Sequence, residues 1–319
     1  MVTGGAGYIG AHTSLLLVGR GDDVVIVDDL VTGSATRVPG IPIIALDLAS
    51  DGAHDILEAA LREHRIDAVI HFAARKQVGE SVDRPAWYYA QNVGGLAQLL
   101  LAMEAAHVSR LVFSSSAAVY GDVDGSVNEA SALNPVNPYG ATKKAGEELI
   151  TSAVGAWPLS AASLRYFNVG GAGRPELGDT GASNLIPMVF DRLDAGERPE
   201  IFGADYPTPD GTCIRDYVHV QDVAEAHLSV LDRLDSAPGH VVLNVGTGVG
   251  TSVREVVDAI NLVVGGGREP IVRSRRFGDP ASVVADIERI RQFSGWTARF
   301  GIRDIVDSAW QARQALHSP

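Results

Sequence analysis

The chain is poor in the residues that mark several function classes. Its 319 residues include one cysteine, Cys213, which excludes an internal disulfide. That cysteine reads as a small core residue, and a reducing, cytoplasmic location fits it. Positive charge is scarce: 26 Lys and Arg stand against 39 Asp and Glu, a formal net charge of -13. Such a balance argues against a nucleic-acid or anionic-membrane surface as partner. No apolar run is long enough to span a bilayer, and no charged-then-apolar leader opens the sequence. The nine histidines lack metal-ligand spacing, so no metal site is expected. Lysine is nearly missing, with Lys76, Lys143 and Lys144 alone in an arginine-rich background. Apolar residues, at 46%, are ample for a buried core.

The rarity of lysine gives weight to residues 114 to 143. Tyr139 and Lys143 stand at i and i+4, so a helix after Pro138 presents both on one face. With eight tyrosines and three lysines, a chance Tyr-x-x-x-Lys has an expectation of about 0.08 in a chain of this length. A phenol beside an ammonium is an acid/base pair, and the positive charge is expected to pull the tyrosine pKa down from about 10 toward the working range. Ser116, the last of three serines ending a strand, adds a hydroxyl for the same substrate oxygen. The bland alternative makes Tyr139 a packing residue and Lys143 a solvated helix charge.

Residues 1 to 10, MVTGGAGYIG, read as strand, glycine turn and helix start, with Gly4, Gly7 and Gly10 placed to let a pyrophosphate approach a helix N-terminus. A strand at Val24 to Val27 follows and ends in Asp28-Asp29. A carboxylate about 20 residues after the glycines can hydrogen-bond a ribose diol and repel a 2′-phosphate, which favours NAD over NADP. A strand-end turn residue is the bland reading of Asp28. Only Met1-Val2-Thr3 precede the glycines, where a strand normally takes about five residues. A short or frayed first strand is expected, with a few residues lost before it.

Strand 41–46, Asp47, helix 52–64, strand 67–72, an Ala/Leu-rich segment over 86–107, strand 110–116 and helix 138–154 continue the alternation. The pattern predicts an α/β fold, a doubly wound parallel Rossmann sheet with right-handed crossovers. The glycine turn, Asp28, Asp47, Phe72-Ala73-Ala74 and Ser114 to Ser116 would share its carboxyl edge, where ligands bind. Beyond Asn168 turn-rich stretches loosen the pattern. The expected division is 1–168 and a smaller mixed α/β domain over 169–319, with 214–236 returning to the first. Within the second, Arg215 and Arg276 either clamp a diphosphate or are ordinary surface charge.

Together the glycine turn, Ser114 to Ser116, Tyr139-x-x-x-Lys143 and the appended domain resemble the extended short-chain dehydrogenase/reductase family. The strings VTGGAGYIG, VIHFAARKQVGES, FSSSAAVYG, NPYGATKKAGE, LRYFNVGGA, SNLIP, IFGADYPTPDGTCIRDYVHVQDVA and NVGTGVGTSV are similar to those of its UDP-glucose 4-epimerases, nearly end to end. The resemblance implies NAD held tightly by Gly4, Gly7, Ile9, Gly10, Asp28, Asp47, Leu48, Phe72, Ala73, Ala74, Asn92, Ser114, Tyr139, Lys143 and Tyr166, with Lys76 near the phosphates. It implies a UDP-sugar against Ser116, Asn168, Asn184, Leu185, Phe202, Arg215, Arg276 and Asp279. The implied activity interconverts UDP-glucose and UDP-galactose by transient oxidation at sugar C4. Tyr139 would remove the O4 proton, Lys143 would orient the cofactor ribose and, with the nicotinamide charge, lower the Tyr139 pKa, and Ser116 would steady O4 and the developing carbonyl.

Departures from the family pattern bear on specificity. Ala117-Ala118 follow Ser116 where sugar 4,6-dehydratases and related decarboxylases place an acid or its partner, which favours plain epimerisation. The family's gate position near the sugar falls on Val283, and a small residue there implies activity on UDP-GlcNAc and UDP-GalNAc as well. Arg75 stands where the family often has an apolar residue. Two other readings compete: a UDP-glucuronate 4-epimerase with Arg75 as its basic partner, and a non-catalytic NAD-binding sensor, though such proteins typically lose the tyrosine or the lysine. Segments 86–107 and 138–154 have Ala- and Leu-rich outer faces that would join a homodimer, as in the family.

Overall fold

The computed structural model describes residues 1–181, 184–266, 268–276 and 279–317. Seven parallel strands form the main sheet: β1 (Val2–Thr3), β2 (Ile26–Asp28), β3 (Ile43–Ala45), β4 (Val69–His71), β5 (Arg110–Ser116), β6 (Ser160–Tyr166) and β7 (Gly239–Val245). Their spatial order is β3-β2-β1-β4-β5-β6-β7, reversing direction at β1, so a crevice opens beyond the carboxyl ends of β1 and β4. Alternation within the strands explains the layers. Ile26, Ile70, Val112 and Leu164 share one apolar core with Ala11 and Leu17 of helix 8–20 and Val223 and Val230 of helix 220–231. Their neighbours Val27, Val69, Leu111 and Phe113 pack on the other face against Leu57, Leu99, Met103 and Ile150, from helices 53–63, 95–106 and 138–156.

The first strand is short, as the sequence implies, and is not frayed. Val2 and Thr3 are buried and hydrogen-bonded on both sides, Val2 N–H to Val25 O at 2.9 Å and Phe72 N–H to Thr3 O at 2.8 Å. Its neighbours, rather than its length, hold it in place. The Ala/Leu-rich segment over 86–107 is also not one regular helix. It runs as α-helix over Pro85–Tyr89, one turn of π-helix over Ala90–Gly94, then α-helix over Gly95–Ala106.

Of the segment 214–236 expected to return to the first part, helix 220–231 packs on the main sheet, whereas strand 214–219 does not. That strand belongs to a second sheet, parallel to 168–170 and 282–285 and antiparallel to 250–252, and strand 125–127 joins it beside 282–285. A two-stranded parallel pair, 200–202 with 271–273, completes this smaller part.

One buried network fixes helix 138–156 on the sheet. Asn137 caps it through Gly140 N–H at 2.9 Å, and Pro138 fills its first turn. Two turns in, the Glu147 carboxylate accepts from Ser115 Oγ on β5 at 2.5 Å and from Arg165 Nε and Nη2 on β6 at 2.9 and 2.5 Å. The two charged side chains are only 3% and 5% exposed. Replacing Arg165 with Met would strand a buried carboxylate and should cost about 3–5 kcal/mol, seen as a lower urea midpoint at unchanged m-value. Replacing Glu147 with Leu in the same chain should recover most of the loss.

Candidate active site

Loops at the carboxyl ends of β1, β2, β3, β4 and β5 enclose a cavity of about 660 Å³, within the range of about 300–1,000 Å³ usual for small-molecule sites. All the residues expected above at the dinucleotide line it, from Gly4 to Tyr166. The glycine turn makes one wall by close approach. Gly4 sits at φ +69°, in the left-handed region, and a Cβ on Gly10 would lie 2.1 Å from Gly4 O. Gly7 is the cap residue of helix 8–20, whose first turn has no acidic side chain and no side-chain cap, leaving its N–H groups for an anion. Asp28 accepts from Ala6 N–H at 3.0 Å and Leu30 N–H at 2.8 Å, so it is a turn residue as well as a cavity-lining carboxylate. Burial pushes its pKa up, and these two amides oppose the shift. A tight cradle, an uncapped helix start and a carboxylate on the next strand are a donor set that fits a dinucleotide.

Tyr139 and Lys143, the expected acid/base pair, line the same cavity. Tyr139 and Lys143 do share one helix face, and the helix comes close to the turn after β5 because residue 140 is glycine: a Cβ there would meet Ala118 O at 2.5 Å. The Ser116 hydroxyl is close enough to the Tyr139 phenol to act on its proton, and it accepts from Ala118 N–H at 3.2 Å. Lys143 Nζ donates to Ser114 O at 2.7 Å and lies 6.0 Å from the Tyr139 ring centre. Ser114 Oγ and Tyr166 OH are hydrogen-bonded to each other.

The expected lowering of the Tyr139 pKa by Lys143 is not what this geometry gives. Burial holds the phenol above its ordinary 10, opposed by the Ser116 hydroxyl. Burial also pushes Lys143 down to about 7, with Glu147 acting the other way. Lys143 is buried and Tyr139 half-buried, and in both loss of water is the largest cause of the shift. Behind them, burial and then the Lys143 charge hold His71 down to about 3, so it stays neutral and bonded to Thr3 Oγ1 at 2.6 Å.

The residues expected at the sugar nucleotide fall into two groups. Asn168, Asn184 and Leu185 line a second cavity of about 350 Å³, and Asp179, Thr180 and Gly181 line both cavities. Ser116, expected at the same sugar, lines neither. Nor do Phe202, Arg215, Arg276, Asp279 and Val283. They sit on the smaller part: the Arg276 guanidinium lies 4.0 Å above the Phe202 ring, Arg215 pairs with Asp279 at 3.5 Å, and Val283 is the strand partner of Arg215. Thus each arginine already has a partner.

Several lining residues were missed by sequence reasoning, among them Asp29, Arg37, Trp87 and Gln91. Asp29 and Gln91 each adjoin an expected residue, which was the available signal. Arg37 follows no motif; it is buried and donates to Gly178 O at 3.0 Å and Thr180 Oγ1 at 3.1 Å.

Residues 1–246 match the family model described as the NAD dependent epimerase/dehydratase family. Among characterised relatives, the UDP-glucose 4-epimerase of Corynebacterium glutamicum is 42% identical, covering 99% of this chain and 96% of its own length. The structure of a UDP-glucose-4-epimerase from Stenotrophomonas maltophila, with bound NAD and formylated UDP-arabinopyranose, superposes at a TM-score of 0.92 and 40% identity over 99% of this chain and 97% of that one. The UDP-Glc/GlcNAc 4-epimerase of Campylobacter jejuni superposes at 0.86, with 35% identity and 98% of each chain covered. With the fold, the glycine cradle and the Tyr139/Lys143 pair in one cleft, the chain belongs to the NAD-dependent epimerase/dehydratase family.

Proposed function

We propose that this chain interconverts UDP-glucose and UDP-galactose as an NAD-dependent nucleotide-sugar 4-epimerase. One observation carries the reading: Tyr139 and Lys143 line the same cavity as the cradle built from Gly4, Gly7 and Gly10. An acid/base phenol and a diphosphate cradle in one cleft are what the reaction requires, and the relatives bearing that activity match end to end. NAD, when bound, supplies transient oxidation and re-reduction at sugar C4, so the reaction has no net redox change.

In this reading Gly4, Gly7, Ile9, Gly10 and Lys76 hold the diphosphate, while Asp28, Asp47 and Leu48 hold the adenosine. Tyr139 takes and returns the proton at sugar O4. Since burial favours the neutral phenol, the phenolate depends on local donors, and Ser116 is aimed at its oxygen. Lys143, fixed on the Ser114 carbonyl, places its charge beside the same ring. Residues 1–168 carry the dinucleotide and 169–319 the UDP-sugar, with helix 220–231 and β7 returning to the main sheet. Asn168, Asn184, Leu185, Phe202, Arg215, Arg276 and Asp279 are the sugar-nucleotide residues, and Val283 is the gate. The glucuronate alternative loses its one basic candidate, because Arg75 is paired with Asp29.

The protein is read as a cytoplasmic homodimer joined through helices 95–106 and 138–156. Leu101 is 54% exposed on the first, and no described helix is long and apolar enough to cross a membrane. Light scattering should give about twice the 33.6 kDa chain mass, and a monomer would refute the pairing.

Incubation of the purified protein with UDP-galactose and no added NAD should produce the gluco epimer in proton NMR. An unchanged spectrum even after NAD is supplied would overturn the assignment. Tyr139→Phe should lower kcat by about 10²–10⁴-fold while bound NAD is retained. Val283→Tyr should depress kcat/KM for UDP-GalNAc by about 10–200-fold relative to UDP-galactose, and equal loss on both sugars would remove Val283 as the gate.

A further inference from the structure

Arg75 has no part in the acid/base chemistry, yet its contacts are specific. It follows β4, and its backbone is pinned at both polar groups: its N–H donates to Asn92 Oδ1 at 2.8 Å and its carbonyl accepts from Asn92 Nδ2 at 3.0 Å. The same Nδ2 reaches Thr142 Oγ1 at 3.0 Å, on the helix that carries Tyr139. From this fixed base the guanidinium donates through Nη2 to the Asp29 carboxylate and through Nε to Gln91 Oε1 at 3.1 Å. Gln91 Nε2 in turn donates to Asp47 Oδ2 at 3.2 Å. Asp29, Arg75, Gln91 and Asp47 thus form one continuous chain of hydrogen bonds, and all four line the larger cavity.

These four residues come from the loops after β2, β4 and β3 and from the π turn, segments far apart in sequence. The central pair is not an ordinary surface contact, since the Arg75 and Asp29 side chains are 15% and 23% exposed. An open surface pair contributes little, whereas one shielded from water is weakly screened and costly to break on one side. Asp29 adjoins Asp28, so the chain of bonds passes beside the carboxylate read above as holding the adenosine.

We propose that Asp29, Arg75, Gln91 and Asp47 form a clasp across the adenosine end of the cavity, with Arg75 the positioning residue that sets how slowly NAD leaves. The inference rests on the NAD reading above. Departure requires the loops after β2 and β4 to part, which breaks the contact of Arg75 with Asp29. Retention of the cofactor therefore depends in part on Asp29, Arg75 and Gln91, which need make no bond to it.

The test uses purified holoenzyme and follows the NAD retained after gel filtration into excess ADP-ribose as a trap. Arg75→Met should speed NAD release by about tenfold or more, because differences of affinity appear mostly in the off-rate. Asp29→Asn should act in the same direction, and the double variant should release no faster than Arg75→Met alone. Arg75→Lys, which keeps the charge but not the planar fork, should fall between. A fall in melting temperature with unchanged release would mark the contacts as purely structural and overturn the clasp while leaving the NAD reading intact. A natural chain that neither retains nor takes up NAD would overturn both. Should Arg75→Met fail to fold, Asp29→Asn and Arg75→Lys decide the matter by the same measurement.

Discussion

The Glu147 carboxylate, enclosed between helix 138–156 and the two strands beneath it, decides where that helix lies. Residues 139, 143 and 147 make one stripe along that helix, and the last of them grips Ser115 and Arg165 on adjacent strands. The grip continues through Arg165 to Tyr120 OH at 3.1 Å and from Tyr120 to Asn244 on β7 at 2.6 Å. Such a buried ion pair adds little net stability compared with apolar packing of the same volume. What it fixes is rotation and register, since the helix cannot turn about its axis or slide by a residue without breaking several charge-assisted bonds. Tyr139 is thereby held against Ser116, and Lys143 against the Ser114 carbonyl.

The same enclosure that fixes these side chains also sets their charge. Tyr139 is held above 10 and Lys143 is brought down to about 7, both by loss of water. Each group leans toward its neutral form, so the site resists charge separation unless a donor meets the phenol oxygen. Glu147 moderates this by favouring the Lys143 cation from the far side. Proton position at this site is therefore set by a balance of burial against a few oriented donors, and no single pair dominates it.

Much of this was legible in the chain because the signals were local. Glycine spacing, strand alternation, the carboxylate after β2 and the Tyr139/Lys143 interval are read within a few residues, and they place the parallel sheet and the wall of the larger cavity. What could not be read depends on distant partners. Strand 125–127 is three residues without a pattern and exists only because 282–285 lies beside it. Arg75 looked anomalous until Asp29, 46 residues earlier, supplied its counter-charge. The rise in the Tyr139 pKa was missed because i,i+4 spacing shows which groups adjoin and says nothing of how much water they lose. The split of the sugar-nucleotide residues into two groups has the same origin, since no local pattern tells which cavity a loop will line.

The π turn over Ala90–Gly94 carries one further consequence. A π turn holds an extra residue within a helix, so everything after it is rotated relative to a regular continuation. Gln91 and Asn92 occupy that widened turn, and both spend their amides on the cavity wall. Shortening the chain by one residue here would leave a better helix, with Leu96, Leu99 and Met103 able to settle again onto the sheet. It would also swing the two amides away from the loops they tie together. The segment is thus a helix with a deliberate miscount, in which regular winding has given way to two side chains aimed where an unbroken spiral could not put them.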